Sequence, residues 1–350
     1  MRVVVVGATG NVGTSVLRSL ESESAVDSVL GVARRHPSLA FAKTDWATAD
    51  IATDDLEPLF RGADAVVHLA WLIQPSRDLD TMRATNVEGS LRVFRAVAAA
   101  GVPVLVYASS VGAYSPGPKD RLVDESWPAG GIASSYYARH KAEVERLLDR
   151  FEQEHPSVRS VRLRPALIFK YSAASEIRRL FAGPLLPGAL VRPGLIPVVP
   201  QTDRLRFQAV HSHDVGEAYR LAVVEEDARG AYNVAADPVL DGRELGRLLG
   251  ARPVPVPARV LRAGAALSWR LRLQPSPEGW VDMALAVPLM STRRIREELG
   301  WRPERNAGDA LLELMRGMRE GAGVHTPPLE PGGAGPLRVR EILTGVGGRP

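Results

Sequence analysis

Val3 to Val6 form an unbroken β-branched run with no charge inside it. Such a run suits a central parallel strand buried on both faces. Gly7, Gly10 and Gly13 follow at GxxGxxG spacing, and Thr14 to Leu20 then reads as an amphipathic helix. Further along, Val26 to Ala33 predicts a second strand, Phe41 to Trp46 a short third, Ala63 to Ala70 a fourth and Val104 to Ser109 a fifth. Asp54 to Phe60 has helical character, and Thr85 to Ala100 reads as a long amphipathic helix with Gly101 as its C-terminal stop. Strands alternate with helices and no internal repeat is visible, which is the pattern of an α/β protein with a doubly wound parallel sheet.

The glycine turn gives that pattern a chemistry. Glycines let the backbone turn sharply and approach a ligand closely, and the N–H groups of the helix behind them attract a pyrophosphate. The position of the turn, directly after a buried strand and before a helix, makes it more specific than a lone glycine pattern. The second strand ends at Ala33 and is followed by Arg34 and Arg35, with no acid. A carboxylate there would accept hydrogen bonds from the ribose of NAD, whereas an arginine pairs with the 2′-phosphate of NADP. The pair therefore favours NADP, with NAD as the alternative; the competing reading is a solvated arginine pair on a loop.

A second group of residues points to a reaction. Ser109 and Ser110 stand at the C-terminal end of the fifth strand, the edge where open α/β sheets bind ligands. A helix starting near Ser134-Ser135 carries Tyr137 and Lys141 at i and i+4, on one face. Free tyrosine, with a pKa near 10, is a poor acid–base catalyst at neutral pH, but a nearby ammonium stabilises its phenolate. A serine hydroxyl can hydrogen-bond a substrate oxygen on which charge develops. Together these groups can move a proton on or off oxygen while hydride moves on carbon.

Composition narrows the setting. The chain of 350 residues is long enough for one or two domains. It contains no cysteine, which excludes disulfides and thiolate metal sites, and no metal site is expected. The net charge is +4 and the arginines are scattered, with only short pairs such as Arg178-Arg179, so no nucleic-acid partner is expected. No apolar run reaches the ~18 residues of a membrane span, and the opening valines are too few for a signal peptide. These features lead to the expectation of a cytoplasmic protein with no membrane partner.

The segments GATGNVG, GADAVVHLA, TNVEGSLRVFRA, VYASSVGAY, SSYYARHK, RLRPALI, VHSHDVGEA and STRRIREELGW occur in this order over about residues 1–305. In them the chain resembles an extended short-chain dehydrogenase/reductase of the NAD-dependent epimerase/dehydratase family. The resemblance implies a Rossmann-like sheet in residues 1–165 and a smaller α/β substrate-binding subdomain over 166–320, interleaved with the sheet. It implies that Gly7, Gly10, Asn11, Val12 and Gly13 lie along the pyrophosphate. Asp45 and Trp46 would meet the adenine, Leu69 and Ala70 would border the ribose, and Pro165 would flank the nicotinamide. Ser110 matches the catalytic serine and Tyr137 the acid–base, while Lys141 would also hold the nicotinamide ribose. A homodimer acting on a small molecule is implied, packed through the helix after Asn86 and the Tyr137 helix.

Departures from the family pattern are informative too. Val111 stands where dehydratases carry an acid, Leu167 where sugar-nucleotide enzymes carry an asparagine, and Phe207, beside Arg206, where they carry a diphosphate-binding arginine. The expectation is an NADP-preferring oxidoreductase acting on a small carbonyl or alcohol. The alternatives are a sugar-nucleotide epimerase and a non-catalytic NADP sensor. His211, His213 and Asp214 read as a strand-to-helix junction, and Asp124-Glu125 as a loop. Residues 183–200, rich in Gly and Pro, are expected to cap the substrate pocket. The basic amphipathic stretch 258–273 is expected to pack within the substrate subdomain, with a membrane-surface role as the alternative. Residues 321–350 are expected to form a flexible tail.

Overall fold

The computed structural model describes residues 1–74, 76–182 and 191–331. Its strands are β1 (Arg2–Val6), β2 (Ser28–Ala33), β3 (Thr44–Thr48), β4 (Ala65–His68), β5 (Val104–Ala108), β6 (Leu122–Val123) and β7 (Arg159–Pro165). They continue with β8 (Leu167–Phe169), β9 (Val198–Gln201), β10 (Phe207–His211), β11 (Gly230–Val234), β12 (Ala236–Leu240), β13 (Arg252–Pro255) and β14 (Leu289–Met290). A seven-stranded parallel sheet runs in the order β11-β7-β5-β4-β1-β2-β3. β1 lies between β2 and β4, with Val3 beside Val29 on one side and Ala65 on the other.

The valine run forms the middle of this sheet because every one of its side chains is buried, none more than 1% exposed. Val3 and Val5 enter one core with Val16, Leu17 and Leu20, and Val4 and Val6 enter the other with Phe94, Val97 and Leu148. This period-2 division is what covers both faces with helices. Each fully buried valine contributes on the order of 1.5 kcal/mol or more. On the first face, helix Asn11–Glu21 crosses helix Ser212–Val224 so closely that a Cβ on Gly216 would lie 2.8 Å from the Ser15 carbonyl oxygen. Helices Gly89–Ala99 and Tyr136–Glu154 cover the other face.

After β7 the chain leaves the sheet. β8 pairs with β10 and β10 with β12, while β11 returns to the edge of the main sheet beside β7. The smaller pairs β13-β9 and β14-β6 complete the second half.

Several elements differ from the sequence reading. β3 begins and ends later than expected, at Thr44 and Thr48. The long helix expected from Thr85 begins earlier, at Leu79, and passes through a π-helical turn, Ala84–Glu88, before continuing as Gly89–Ala99. Its wide turn carries the buried Asn86, whose amide makes both hydrogen bonds with the Leu72 backbone, at 2.7 and 2.8 Å. Residues 321–331, expected to be part of a flexible tail, are packed: Leu329 is buried, and the Thr326 hydroxyl donates to the Thr9 carbonyl at 3.0 Å. Residues 332–350, with LRVREIL, lie outside the described residues, as do residues 183–190 of the Gly/Pro-rich stretch. Of the remainder of that stretch, Val191, Ile196 and Val199 pack with Leu249, Ala251 and Met315.

Candidate functional site

At the C-terminal end of β1 the backbone turns through Gly7, whose φ is +87°. A Cβ on Gly7 would lie 2.6 Å from the Ala70 nitrogen, and one on Gly13 would lie 2.5 Å from the Gly7 carbonyl oxygen. Only glycine fits either place. Gly10 is the N-cap of helix Asn11–Glu21 and supplies no side-chain cap, so the first N–H groups of that helix are left for an anion. The residues present thus fit a dinucleotide pyrophosphate, because a side chain at Gly7 or Gly13 would close the cradle.

The cleft above this turn brings together Gly7, Gly10, Arg34, Arg35, Leu69 and Ala70 from the sequence reading. Arg34 and Arg35 are exposed at its rim, just past the end of β2, and among the described residues neither has an ion-pair partner. Asn11, Val12 and Gly13 stand behind the turn. The Asn11 amide donates to the Ile168 carbonyl at 3.3 Å, while its Oδ1 is buried without a partner.

Asp45 and Trp46 do not line this cleft. β3 runs to Thr48, so Asp45 and Trp46 fall within the strand, and the Trp46 indole donates to the Leu39 carbonyl at 3.0 Å. Ala49, Asp50 and Ile51, which follow the strand, line the cleft in their place. Pro165, the last residue of β7, pairs with Val234 and is not among the lining residues. Thr9, Trp71, Leu72, Thr85, Glu176, Pro327 and Pro328 also line the cleft and were missed. No local pattern in the sequence marks them. Burial pushes the Glu176 carboxyl up to about 7, against the pull of Arg179 and Lys170. The Lys170 ammonium is buried and satisfied by Asn11 O, Thr14 Oγ1 and Ser15 Oγ at 2.6, 2.7 and 3.2 Å.

Ser110, Tyr137 and Lys141 meet where β5 ends. Ser110 follows the strand and turns the chain by accepting a hydrogen bond from the Gly112 N–H at 3.0 Å. Ser135 caps helix Tyr136–Glu154 through the Ala138 N–H, which places Tyr137 in the first turn and Lys141 one turn on. Burial pushes the Tyr137 phenol up to about 12, and a hydrogen bond with Ser110 pulls it back. The lowering expected from Lys141 is not found. Its Nζ lies 6.0 Å from the Tyr137 ring centre, donates to the Ala108 carbonyl at 2.6 Å and sits 3.4 Å from the Trp71 ring centre. Burial also holds the Lys141 ammonium well below its ordinary pKa, with Glu145 opposing.

Beneath these groups lies a buried charge network. Glu145, one turn after Lys141, accepts from Arg164 at 2.8 and 2.9 Å, from Arg162 at 2.9 Å and from the Ser109 hydroxyl. Arg164 also donates to the Tyr114 hydroxyl at 3.0 Å. The two guanidiniums and Ser109 outweigh burial and lower the Glu145 carboxyl to about 2. Ser109 is therefore turned down toward the helix, and Ser110 beside Tyr137.

Above Tyr137 is an aromatic wall that was also missed. Trp280 lies against Tyr137 at 4.9 Å between ring centres, and Phe181 meets Trp280 edge-on at 4.9 Å. Trp71 closes the other side at 6.0 Å from Tyr137. A Cβ on Gly112 would lie 3.0 Å from the Met283 sulfur. The Tyr137 ring is thus enclosed by apolar and aromatic side chains.

His211 caps helix Ser212–Val224 by accepting from the His213 N–H at 3.2 Å. Asp214, in the first turn, accepts from the Glu304 and Arg305 N–H groups at 3.1 and 3.3 Å. The segment is a strand-to-helix junction. Asp124 and Glu125 are loop residues, with Glu125 accepting from the Asn233 N–H at 2.9 Å.

The family model described as NAD dependent epimerase/dehydratase family matches residues 3–235. A protein of Mycobacterium tuberculosis described as uncharacterized is 27% identical over 321 residues, covering 91% of this chain and 30% of its own length. The chain thus spans about 30% of the length of the first relatives it matches. A 2-alkyl-3-oxoalkanoate reductase of Shewanella oneidensis is 26% identical over 228 residues, covering 63% of this chain and 56% of its own. Among solved structures, a Thermus thermophilus UDP-glucose 4-epimerase in complex with NAD superposes with a TM-score of 0.66 at 22% identity. That match covers 91% of this chain and 99% of the epimerase, and it is a likeness of fold.

Proposed function

The chain belongs to the NAD dependent epimerase/dehydratase family, and from that premise we propose that it is an oxidoreductase, preferring NADP to NAD, that interconverts a small apolar carbonyl compound and its alcohol. The observation that carries this reading is the meeting of Ser110, Tyr137 and Lys141 at the end of β5, under the aromatic wall, with Trp71 joining them to the cleft over the glycine cradle.

Ser110 hydrogen-bonds the substrate oxygen and orients it. Tyr137, whose phenol keeps its proton through the neutral range, donates that proton to the oxygen in the reducing direction. Lys141 lies against Trp71, a lining residue of the cleft, and there holds its ammonium for a ribose hydroxyl. Gly7, Gly10 and the helix N-terminus hold the pyrophosphate, and Asp50 and Ile51 border the adenosine end. Arg34 and Arg35 take the 2′-phosphate. A bound nicotinamide supplies or accepts the hydride on carbon. Trp280, Phe181 and Trp71 exclude water and favour an apolar substrate. This fits poorly with a sugar nucleotide, as do Val111, Leu167 and Phe207. A homodimer through helices Gly89–Ala99 and Tyr136–Glu154 completes the reading.

Tyr137→Phe tests it. The variant should lose at least ~100-fold in turnover while binding NADPH as tightly as the parent. Nucleotide released from the denatured protein separates the alternatives. Stoichiometric NAD would support an epimerase that keeps its cofactor through a closed redox cycle. A nucleotide-free protein that binds NADPH more tightly than NADH supports the reductase.

A further inference from the structure

Helix Ala258–Arg270 contains no buried residue. Its inner side is tied down at three points. Arg262 pairs with Asp282 at 2.9 Å, the Arg77 guanidinium lies 4.2 Å over the Trp269 ring, and Gln274 donates to the Ala265 carbonyl at 3.2 Å. With those residues turned inward, helical spacing brings Val260, Ala263, Gly264 and Leu267 together on the opposite face. Leu271 and Leu273 continue the stripe past the end of the helix. Val260 is 53%, Leu267 59%, Leu271 59% and Leu273 43% exposed. A single exposed leucine is ordinary, but a contiguous apolar stripe marks an interaction surface.

The charge around the stripe identifies its partner. Between Leu245 and Pro277 the chain has six arginines and no acidic residue. Arg259 and Arg270 are exposed and lie along one edge of the stripe, about a quarter-turn round the helix from Leu267. Arg272, also exposed, follows at a φ of 58°. We propose that this face docks on an anionic lipid surface, with the helix lying in the plane of the headgroups. Val260, Leu267, Leu271 and Leu273 enter the acyl boundary, and the arginines reach lipid phosphates. A second copy of the chain fits the face less well, because a two-fold axis there would bring like-charged arginines together. Among the described residues no helix is long and apolar enough to cross a membrane, so the contact lies on the bilayer. This surface is independent of the reaction proposed above.

Co-sedimentation of the full chain with vesicles tests the inference, using phosphatidylcholine alone and phosphatidylcholine mixed with phosphatidylglycerol. The protein should pellet with the mixed vesicles and remain largely in solution with the neutral ones. Leu267→Glu with Leu271→Glu should weaken binding at least ~10-fold, and Arg259→Gln, Arg270→Gln and Arg272→Gln together should weaken it by roughly fivefold per arginine. These positions are exposed, so each variant should melt with the parent. Failure of the parent to bind mixed vesicles overturns the proposal, and so does undiminished pelleting of the leucine variant. Dimers of the parent that the leucine variant dissolves, with no vesicle binding by either, would assign the stripe to a second copy and overturn it too.

Discussion

The glycine cradle at the end of β1 and the aromatic wall over Tyr137 are assembled in opposite ways. The cradle is local: Gly7, Gly10 and Gly13 lie within seven residues, and its shape follows from backbone that no side chain could share. The wall is non-local. Trp71, Tyr137, Phe181 and Trp280 come from four separate segments, and Phe181 and Trp280 reach Tyr137 only because the chain leaves the sheet after β7. A local device is specified by residue type at fixed spacing. A non-local one is specified by packing, and many different sequences pack.

Breaking the Glu145 network beneath Tyr137 and Lys141 should have the largest effect. Glu145→Ala leaves Arg164 buried without its carboxylate partner, while Arg162 keeps Asp149 and Glu152, so unfolding in denaturant should show a loss of about 3 kcal/mol. The effect also has a pH signature. The folded carboxyl titrates near 2 against an ordinary 4.5, so the unfolded chain binds the proton first. Stability from Glu145 is complete above about 4.5 and is lost as pH falls from there through about 2. In Glu145→Gln that component of the acid slope should vanish. An unchanged slope would place the acid sensitivity elsewhere.

Trp280→Ala should separate the wall from the cradle. Removing the ring opens the site over Tyr137 and costs packing on the order of 2 kcal/mol, so KM for an apolar carbonyl should rise roughly 30-fold. NADPH affinity should stay as in the parent. A parallel loss of NADPH affinity would show that wall and cradle act as one unit.

Arg34→Ala with Arg35→Ala sharpens the other side. NADPH binding should weaken by roughly 10-fold or more, NADH binding should be spared, and the difference should shrink as salt rises. Equal effects on both nucleotides would return the pair to the role of a solvated loop.

Helix Ala258–Arg270 extends the lesson. Its sequence leads to the expectation that it packs within the substrate subdomain, with a membrane-surface role as the alternative. Trp269, Arg262 and Ala265 take the inner side instead, and Val260 and Leu267 face out. Amphipathicity establishes that a helix has two faces, and only contacts decide which one is buried. The adenosine end of the cleft shows a smaller version of the same limit. The family resemblance implies that Asp45 and Trp46 meet the adenine there. The strand's hydrogen bonds with β2 run on to Thr48, which hands that position to Asp50 and Ile51.

What the chain declares by residue type and spacing is the buried valine strand, the glycine turn behind it, the tyrosine and lysine one helical turn apart, and the alternation that makes the parallel sheet. Each rests on backbone geometry or helical periodicity, which act over a few residues. Tertiary structure alone decided that Trp280 and Trp71 flank Tyr137, that Glu145 is clamped between two arginines, that Thr326 anchors the chain to Thr9, and that a leucine stripe is left on the surface. Those depend on how distant segments fill shared space, and close packing is a property of the folded whole.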